Sequence, residues 1–141
     1  FDLANPNECY RSRESITPQQ ALALSNSPLA LDRSRHLARR LIADIADRLG
    51  APTDSSRTTH TTDFITSAFE TVLGRRPGPH ELAACRTFLA RHARLLGQPG
   101  TLTAFPARAA RPMPPSADPV VRARENLVHV LFSHNDFVTI R

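Results

Sequence analysis

The sequence has 141 residues, a length that suits one domain with a hydrophobic core of its own. Its 18 basic residues are all arginine and outnumber the 13 acidic residues, which gives a net charge of +5. Because the arginines are interspersed with Asp and Glu rather than clustered, a nucleic-acid-binding protein is not favoured. No apolar run approaches the roughly 18 residues of a membrane-spanning helix, so no membrane span is expected.

The chain begins with Phe1-Asp2 and not with a methionine. We therefore expect a C-terminal piece of a longer protein, folded as a single helical domain over residues 1–141. Its start is predicted to be irregular up to Thr17-Pro18, where a short helix begins and runs to about Ser25. Proline is favoured at this position because the first helical N–H has no partner to lose.

Ser27-Pro28 opens the second and longest predicted helix, which ends at Gly50. The Ser/Thr-rich stretch from Ala51 to Thr62 has no hydrophobic periodicity and is predicted to be an exposed loop. Within the helix, apolar residues recur at the spacing typical of one buried face. These residues are Leu37, Ala38, Leu41, Ile42, Ile45 and Leu49.

Two further helices are predicted to form an antiparallel hairpin. The third helix runs from about Asp63 to Leu73, and the fourth begins at Pro79 and closes at Gly97. A short Arg-Arg-Pro-Gly turn joins them. The hairpin is followed by residues 98–117, which are rich in Pro, Ala and Arg and are predicted to form a surface loop.

The last predicted helix begins at Asp118-Pro119. It is expected to bury Val120, Leu127, Val130 and Leu131. The sequence as a whole therefore predicts an all-α fold of about five helices that includes an antiparallel hairpin, an irregular N-terminal segment and a long Pro-rich surface loop.

The chain has two cysteines, Cys9 and Cys85. They form neither a C-x-x-C nor a C-x-x-C-H motif and have no histidine at zinc spacing, so neither a metal site nor a haem is expected in this piece. A disulfide between them would suit an oxidising compartment, but the spacing leaves the pairing open.

No catalytic residue is predicted. Ser15 lacks the G-x-S-x-G elbow and a supporting acid that would activate a serine nucleophile. His36, His92 and His129 lie on or beside apolar helical faces and are expected to be partly buried rather than to bind a ligand.

Three runs of the sequence, which together span nearly the whole chain, resemble the planctomycete-type PSD domain, a domain of unknown function at the C-terminal end of large proteins. The opening run has the pattern Ser-x-Thr-Pro-x-Gln-Ala-Leu, and the middle run has Leu-Gly-Arg-x-Pro-x-x-x-Glu-Leu. Ser12 stands where the first residue of an Arg-Arg pair is usual. The residues that carry the resemblance are Phe1, Asp2, Asn5, Pro6, Cys9, Arg13, Ser15, Thr17, Pro18, Gln20, Ala21, Leu22, Leu24, Asn26, Pro28, Leu73, Gly74, Arg75, Pro77, Glu81, Leu82, Leu131, Asn135, Asp136 and Phe137.

The resemblance implies an exported protein in the periplasm or at the cell surface, because such domains often accompany cytochrome c domains, which mature outside the cytoplasm. It implies no reaction. Any haem is expected in other parts of the parent protein, and this piece is expected to have no cofactor.

Arg11, Arg13, Asn26 and Asn135 are the candidate ligand-binding or docking residues. In one hypothesis the chain is a non-catalytic C-terminal module that docks on the preceding domain of a cytochrome-associated protein, with its two ends as docking edges. In the alternative, it binds or acts on an anionic carbohydrate of a surface polymer, because guanidinium groups match the paired oxygens of carboxylate, sulfate and phosphate. The sequence leaves both hypotheses open.

Overall fold

The computed structural model describes residues 27–98, 100 and 113–134. These residues form four α-helices, which are α1 (Pro28–Leu49), α2 (Arg57–Leu73), α3 (Pro79–Leu96) and α4 (Pro119–Phe132). Strands do not occur in this described part, and the predicted all-α class is confirmed. Within the same residues, none of the helices combines the length and the apolar character that a membrane crossing requires. The helix predicted from Pro18 to about Ser25 lies outside the described residues.

Most helix ends coincide with the predicted ones because local chemistry sets them. Proline occupies the first turn of α1, α3 and α4. At α4 the Asp118 carboxylate also accepts a hydrogen bond of 2.8 Å from the Val120 N–H, which satisfies one of the free donors of the first turn. Gly74 ends α2 with a φ of 67°, a left-handed conformation that favours glycine.

The start of α2 is a correction, since the helix begins at Arg57 and not at Asp63. A turn held by the Ser56 side chain, whose Oγ accepts from the Thr53 N–H at 2.9 Å, leads directly into the helix. The residues predicted as exposed loop also bury a side chain, because His60 is only 4 % exposed. Tertiary burial therefore extends the helix through a Thr-rich stretch whose intrinsic helix propensity is low.

The core lies where α4 meets the other three helices. α4 makes its most extensive contacts with α1 and α3 and also packs on α2. It runs antiparallel to α3, because Pro119 at its start lies beside Gly97 at the end of α3. The buried apolar residues of the core are Ala38, Leu41, Ile45, Phe64, Ile65, Ala68, Phe69, Leu89, Ala123, Leu127, Val128 and Leu131.

Three apolar residues that were expected to be buried are exposed. Val120 and Val130 in α4 are 51 % and 50 % exposed, and Leu49 in α1 is 45 % exposed. Val120 lies in the first turn of α4, and Leu49 lies in the last turn of α1. Val130 falls outside the buried face of α4, which is turned toward α1 and takes in Glu125 and Val128 instead.

Candidate functional site

The site residues proposed from the sequence lie mostly at the two ends of the chain. Arg11, Arg13, Asn26 and Asn135 are outside the described residues, and so is Cys9. Their convergence on one site and the pairing of Cys9 with Cys85 therefore stay predictions. In the described part, the polar side chains gather in two other places, a buried cluster between α1 and α4 and the turn between α2 and α3.

The buried cluster is centred on Glu125, which is only 2 % exposed. Its Oε1 accepts a hydrogen bond of 2.8 Å from Nε of Arg39, and its Oε2 accepts one of 3.1 Å from the Ser116 main-chain N–H. A buried carboxylate is stable only when it is paired and hydrogen-bonded, and both oxygens of Glu125 meet that requirement.

Two arginines of α1 bind the segment that leads into α4. Arg35, which is 8 % exposed, donates to the carbonyl oxygen of Met113 at 2.7 Å. Arg39 donates through its second nitrogen to the carbonyl oxygen of Pro114, also at 2.7 Å. Arg35, Arg39 and Glu125 thus form an arginine–glutamate joint that fixes residues 113–116, a Pro-rich stretch with little apolar surface of its own, against α1.

Chemically, this joint is suited to holding the chain together. The carboxylate of Glu125 is occupied by a guanidinium and a main-chain amide, and the arginines are occupied by that carboxylate and by carbonyl oxygens. A general acid or base must instead reach the proton of a bound substrate. The joint therefore resembles a structural clamp more than an acid–base centre.

The sequence analysis missed this joint, although two signals were present. Arg35 and Arg39 are four residues apart, a spacing that puts both on one side of a helix, next to the buried Ala38. Glu125 is the single acidic residue between Pro119 and Phe132, in a helix that is otherwise largely apolar. Charged side chains are rarely buried without a partner, so the burial of Glu125 implies one.

The second polar cluster lies in the turn of the hairpin and uses the middle run of the family pattern. Both terminal nitrogens of Arg75 donate to the two oxygens of Glu81, each at 2.8 Å. The Gly78 N–H donates to Oε2 of Glu81 at 2.7 Å, which caps the start of α3. The Arg75 guanidinium also lies 5.5 Å from the centre of the Phe69 ring. The predicted antiparallel hairpin is confirmed, and these residues lock its turn.

This turn makes stability depend on pH. The Arg75 hydrogen bonds, followed by that of Gly78, lower the pKa of Glu81 from 4.5 to about 2. Since the folded pKa is below the unfolded one, the stabilisation is complete above about pH 4.5 and is lost as the pH falls toward 2. Because the Glu81 side chain is 35 % exposed, we expect Glu81→Gln to cost about 1–2 kcal/mol at pH 7 after solvent screening. Urea unfolding from pH 7 to pH 2.5 would measure the difference.

Glu70→Gln is the matched control for this prediction. Glu70 also binds an arginine, Arg76, at 2.8 Å, but the two side chains are 45 % and 82 % exposed. Such a pair contributes at most about 0.5 kcal/mol, so its loss is expected to leave the pH profile nearly unchanged. A Glu81→Gln protein whose stability declines in acid in parallel with the wild type would contradict the assignment.

The histidines and the cysteine of the described part divide between surface and core. His92 is partly buried, as predicted, and stacks on Phe88 with the ring centres 4.0 Å apart. The expectation for His36 is wrong, because this residue is exposed and faces Asp32 at 3.8 Å. Burial raises the pKa of the Cys85 thiol, and the charge of Glu81 adds to the effect. Groups of His, Cys, Asp and Glu that could hold a metal ion do not occur among the described residues.

The chain matches the model of a known protein family. The model of the PSD1 family, described as a protein of unknown function (DUF1553), matches residues 1–89. The match includes Arg35, Arg39 and the Arg75–Glu81 turn, whereas Glu125 lies beyond it. No curated protein and no solved structure matches the chain. Since the family model covers well over half of the 141 residues, the chain belongs to the PSD1 family of proteins of unknown function.

Proposed function

We propose that this chain is a non-catalytic helical module of a large, exported, cytochrome-associated protein, in which residues 1–26 and 135–141 dock on the domain that precedes it. The observation that carries the proposal is the arginine–glutamate joint. Its charged groups are bound to each other and to the main chain, as they are in the hairpin turn. In both places the fold uses arginine to fix irregular backbone.

The same use of arginine suggests a role for Arg11 and Arg13. They lie in a run that contains turn-forming residues, as does the segment that Arg35 and Arg39 hold. Guanidinium groups that bind carbonyl oxygens of such a run would shape it into a docking edge. In the rival function, Arg11, Arg13 and Asn26 would instead keep their donors free for an anionic carbohydrate.

Arg13→Ala separates the two functions. In the docking function, the substitution leaves buried carbonyl or carboxylate groups without a donor, and we expect the free energy of unfolding to fall by about 1–3 kcal/mol. The measurement is urea unfolding of the protein with its preceding domain present. Titration with a polyuronate, an anionic polysaccharide, is expected to show no binding to the wild-type protein or to the Arg13→Ala variant.

Arg33→Ala is the control, because Arg33 is an exposed arginine on α1. Its loss is expected to change stability by no more than about 0.5 kcal/mol. The docking function would be rejected if the wild-type protein bound polyuronate and Arg13→Ala abolished that binding without changing the free energy of unfolding.

The exported location and the association with cytochrome domains are supported by the family resemblance alone. Fractionation of cells that produce the full-length protein tests them. Recovery of the protein in the cytoplasmic fraction would contradict this part of the proposal.

A further inference from the structure

The N-terminal end of α2 offers free main-chain donors. Arg57 and His60 donate their main-chain N–H groups to the turn before the helix, at 3.0 and 2.9 Å. The N–H groups of Thr58 and Thr59, which lie between them, donate to no described residue. No described side chain caps this end, and the first turn contains no acidic residue. The carboxylate of Asp54 is 93 % exposed and binds the Arg57 side chain at 3.0 Å, so the positive end of the helix is available to another anion.

A buried imidazole without a partner lies in the same part of α2. His60 is 4 % exposed, and its Nε2 atom is shielded from water and has no hydrogen-bond partner among the described residues. Buried polar atoms in folded proteins are nearly always paired, because leaving them unpaired is costly. Side chains of a helix lean toward its N-terminus, so the imidazole lies on the side of the uncapped first turn.

A half-buried arginine of α4 faces this region. The Arg124 guanidinium lies 5.0 Å from the centre of the Phe64 ring, and Phe64 follows His60 by one helical turn on the same side of α2. The guanidinium forms no hydrogen bond or ion pair with a described residue. Burial lowers its pKa, and the charge of Asp118 opposes that effect only in part. The five N–H donors of Arg124 therefore lack an acceptor in a place where water reaches them poorly.

The directions of the helices bring these donors together. α2 and α4 run the same way, because α3 is antiparallel both to α2, its partner in the hairpin, and to α4. Long side chains lean toward the N-terminus of their own helix, so Phe64 and Arg124 lean toward the same end. This places the guanidinium, which lies against the Phe64 ring, at the level of His60 and of the uncapped turn.

We propose that the Arg124 guanidinium, the His60 imidazole and the first-turn N–H groups of α2 bind one small tetrahedral oxyanion, phosphate or sulfate. His60 donates as a neutral imidazole with the proton on Nε2. A tetrahedral anion has oxygens in several directions, which suits donors that come from a side chain of each helix and from a helix end, whereas a carboxylate offers two oxygens in one plane. The site goes beyond the docking function and does not depend on it, because its residues lie in α2 and α4.

Hydrogen exchange measured by mass spectrometry tests the site in the full-length protein. We expect millimolar phosphate or sulfate to slow amide exchange of residues 57–62 several-fold, compared with chloride at the same ionic strength. The reason is that an anion bound only to the folded helix end opposes its opening. Arg124→Gln is expected to abolish the effect, and His60→Phe, which keeps an aromatic ring but no donor, is expected to weaken it.

Arg122→Gln is the matched control, because Arg122 is also a partly exposed arginine of α4. It is two residues from Arg124 and so lies on a different side of the helix. We expect this variant to keep the full slowing by phosphate. If Arg124→Gln does not fold, Arg124→Lys takes its place, since lysine keeps the charge but lacks the paired donors and should bind phosphate several-fold more weakly.

Three outcomes would overturn the proposal. The first is equal exchange of residues 57–62 in phosphate, sulfate and chloride. The second is slowing that persists in full in Arg124→Gln or Arg124→Lys. The third is slowing by acetate and not by phosphate, which would assign the site to a carboxylate. None of these measurements involves Arg13, so failure of the anion site and failure of the docking function are distinguishable.

Discussion

Replacing Glu125 by alanine is expected to lower the free energy of unfolding by about 2–4 kcal/mol. The substitution leaves the Arg39 guanidinium without its carboxylate and the Ser116 N–H without an acceptor, in a place where the Glu125 side chain is shielded from water. It also releases residues 113–116 from one of the contacts that hold them on α1. Urea unfolding followed by circular dichroism measures the loss at pH 7.

Arg40→Ala is the matched control, because Arg40 is also an arginine of α1 but its side chain is 81 % exposed, 3.9 Å from Asp44. Its loss is expected to cost no more than about 0.5 kcal/mol. A double-mutant cycle with Arg39→Ala isolates the interaction of Arg39 with Glu125, for which a coupling of about 1–3 kcal/mol is expected. A coupling energy near zero would show that the interaction between Arg39 and Glu125 does not contribute to stability.

A helix start could be predicted from the sequence where local interactions set it, and could not where tertiary packing sets it. Helix starts at Pro28, Pro79 and Pro119 were predictable because capping chemistry is local and acts within one turn. The start of α2 was not, because the stretch before Asp63 has weak helix formers and becomes helical where His60 is buried by the rest of the fold.

The candidate sites show the same division. The Arg75–Glu81 pair spans six residues across a turn that the sequence predicted, so the turn brings the two side chains within reach, although the pair itself was not predicted. Arg39 and Glu125 are 86 residues apart, and their pairing depends on how α1 and α4 pack. One sequence without its fold gives no direct sign of such a pair. The sequence shows that Glu125 is the single acidic residue of α4, but only the packing of α4 on α1 shows that it is buried and paired with Arg39.

A second large effect is expected from Phe64→Ala, which should lower the free energy of unfolding by about 3–5 kcal/mol. Phe64 is 0 % exposed, and it belongs to α2, the helix that contacts α1, α3 and α4. Removing the ring leaves a cavity that rigid neighbouring helices can fill only in part. The Arg124 guanidinium, 5.0 Å from the centre of this ring, also loses its aromatic partner.

Phe64→Leu distinguishes the two contributions, because leucine restores most of the volume but offers no ring to Arg124. We expect it to cost about 1–1.5 kcal/mol, the amount typical of an apolar exchange that nearly preserves volume, with the cation–π contact included. If α2 joins the other three helices into one cooperative unit, Phe64→Ala should accelerate amide hydrogen exchange in α1, α3 and α4 as strongly as in α2. Acceleration confined to α2 would show instead that the contact between α1 and α4, with its arginine–glutamate joint, holds independently.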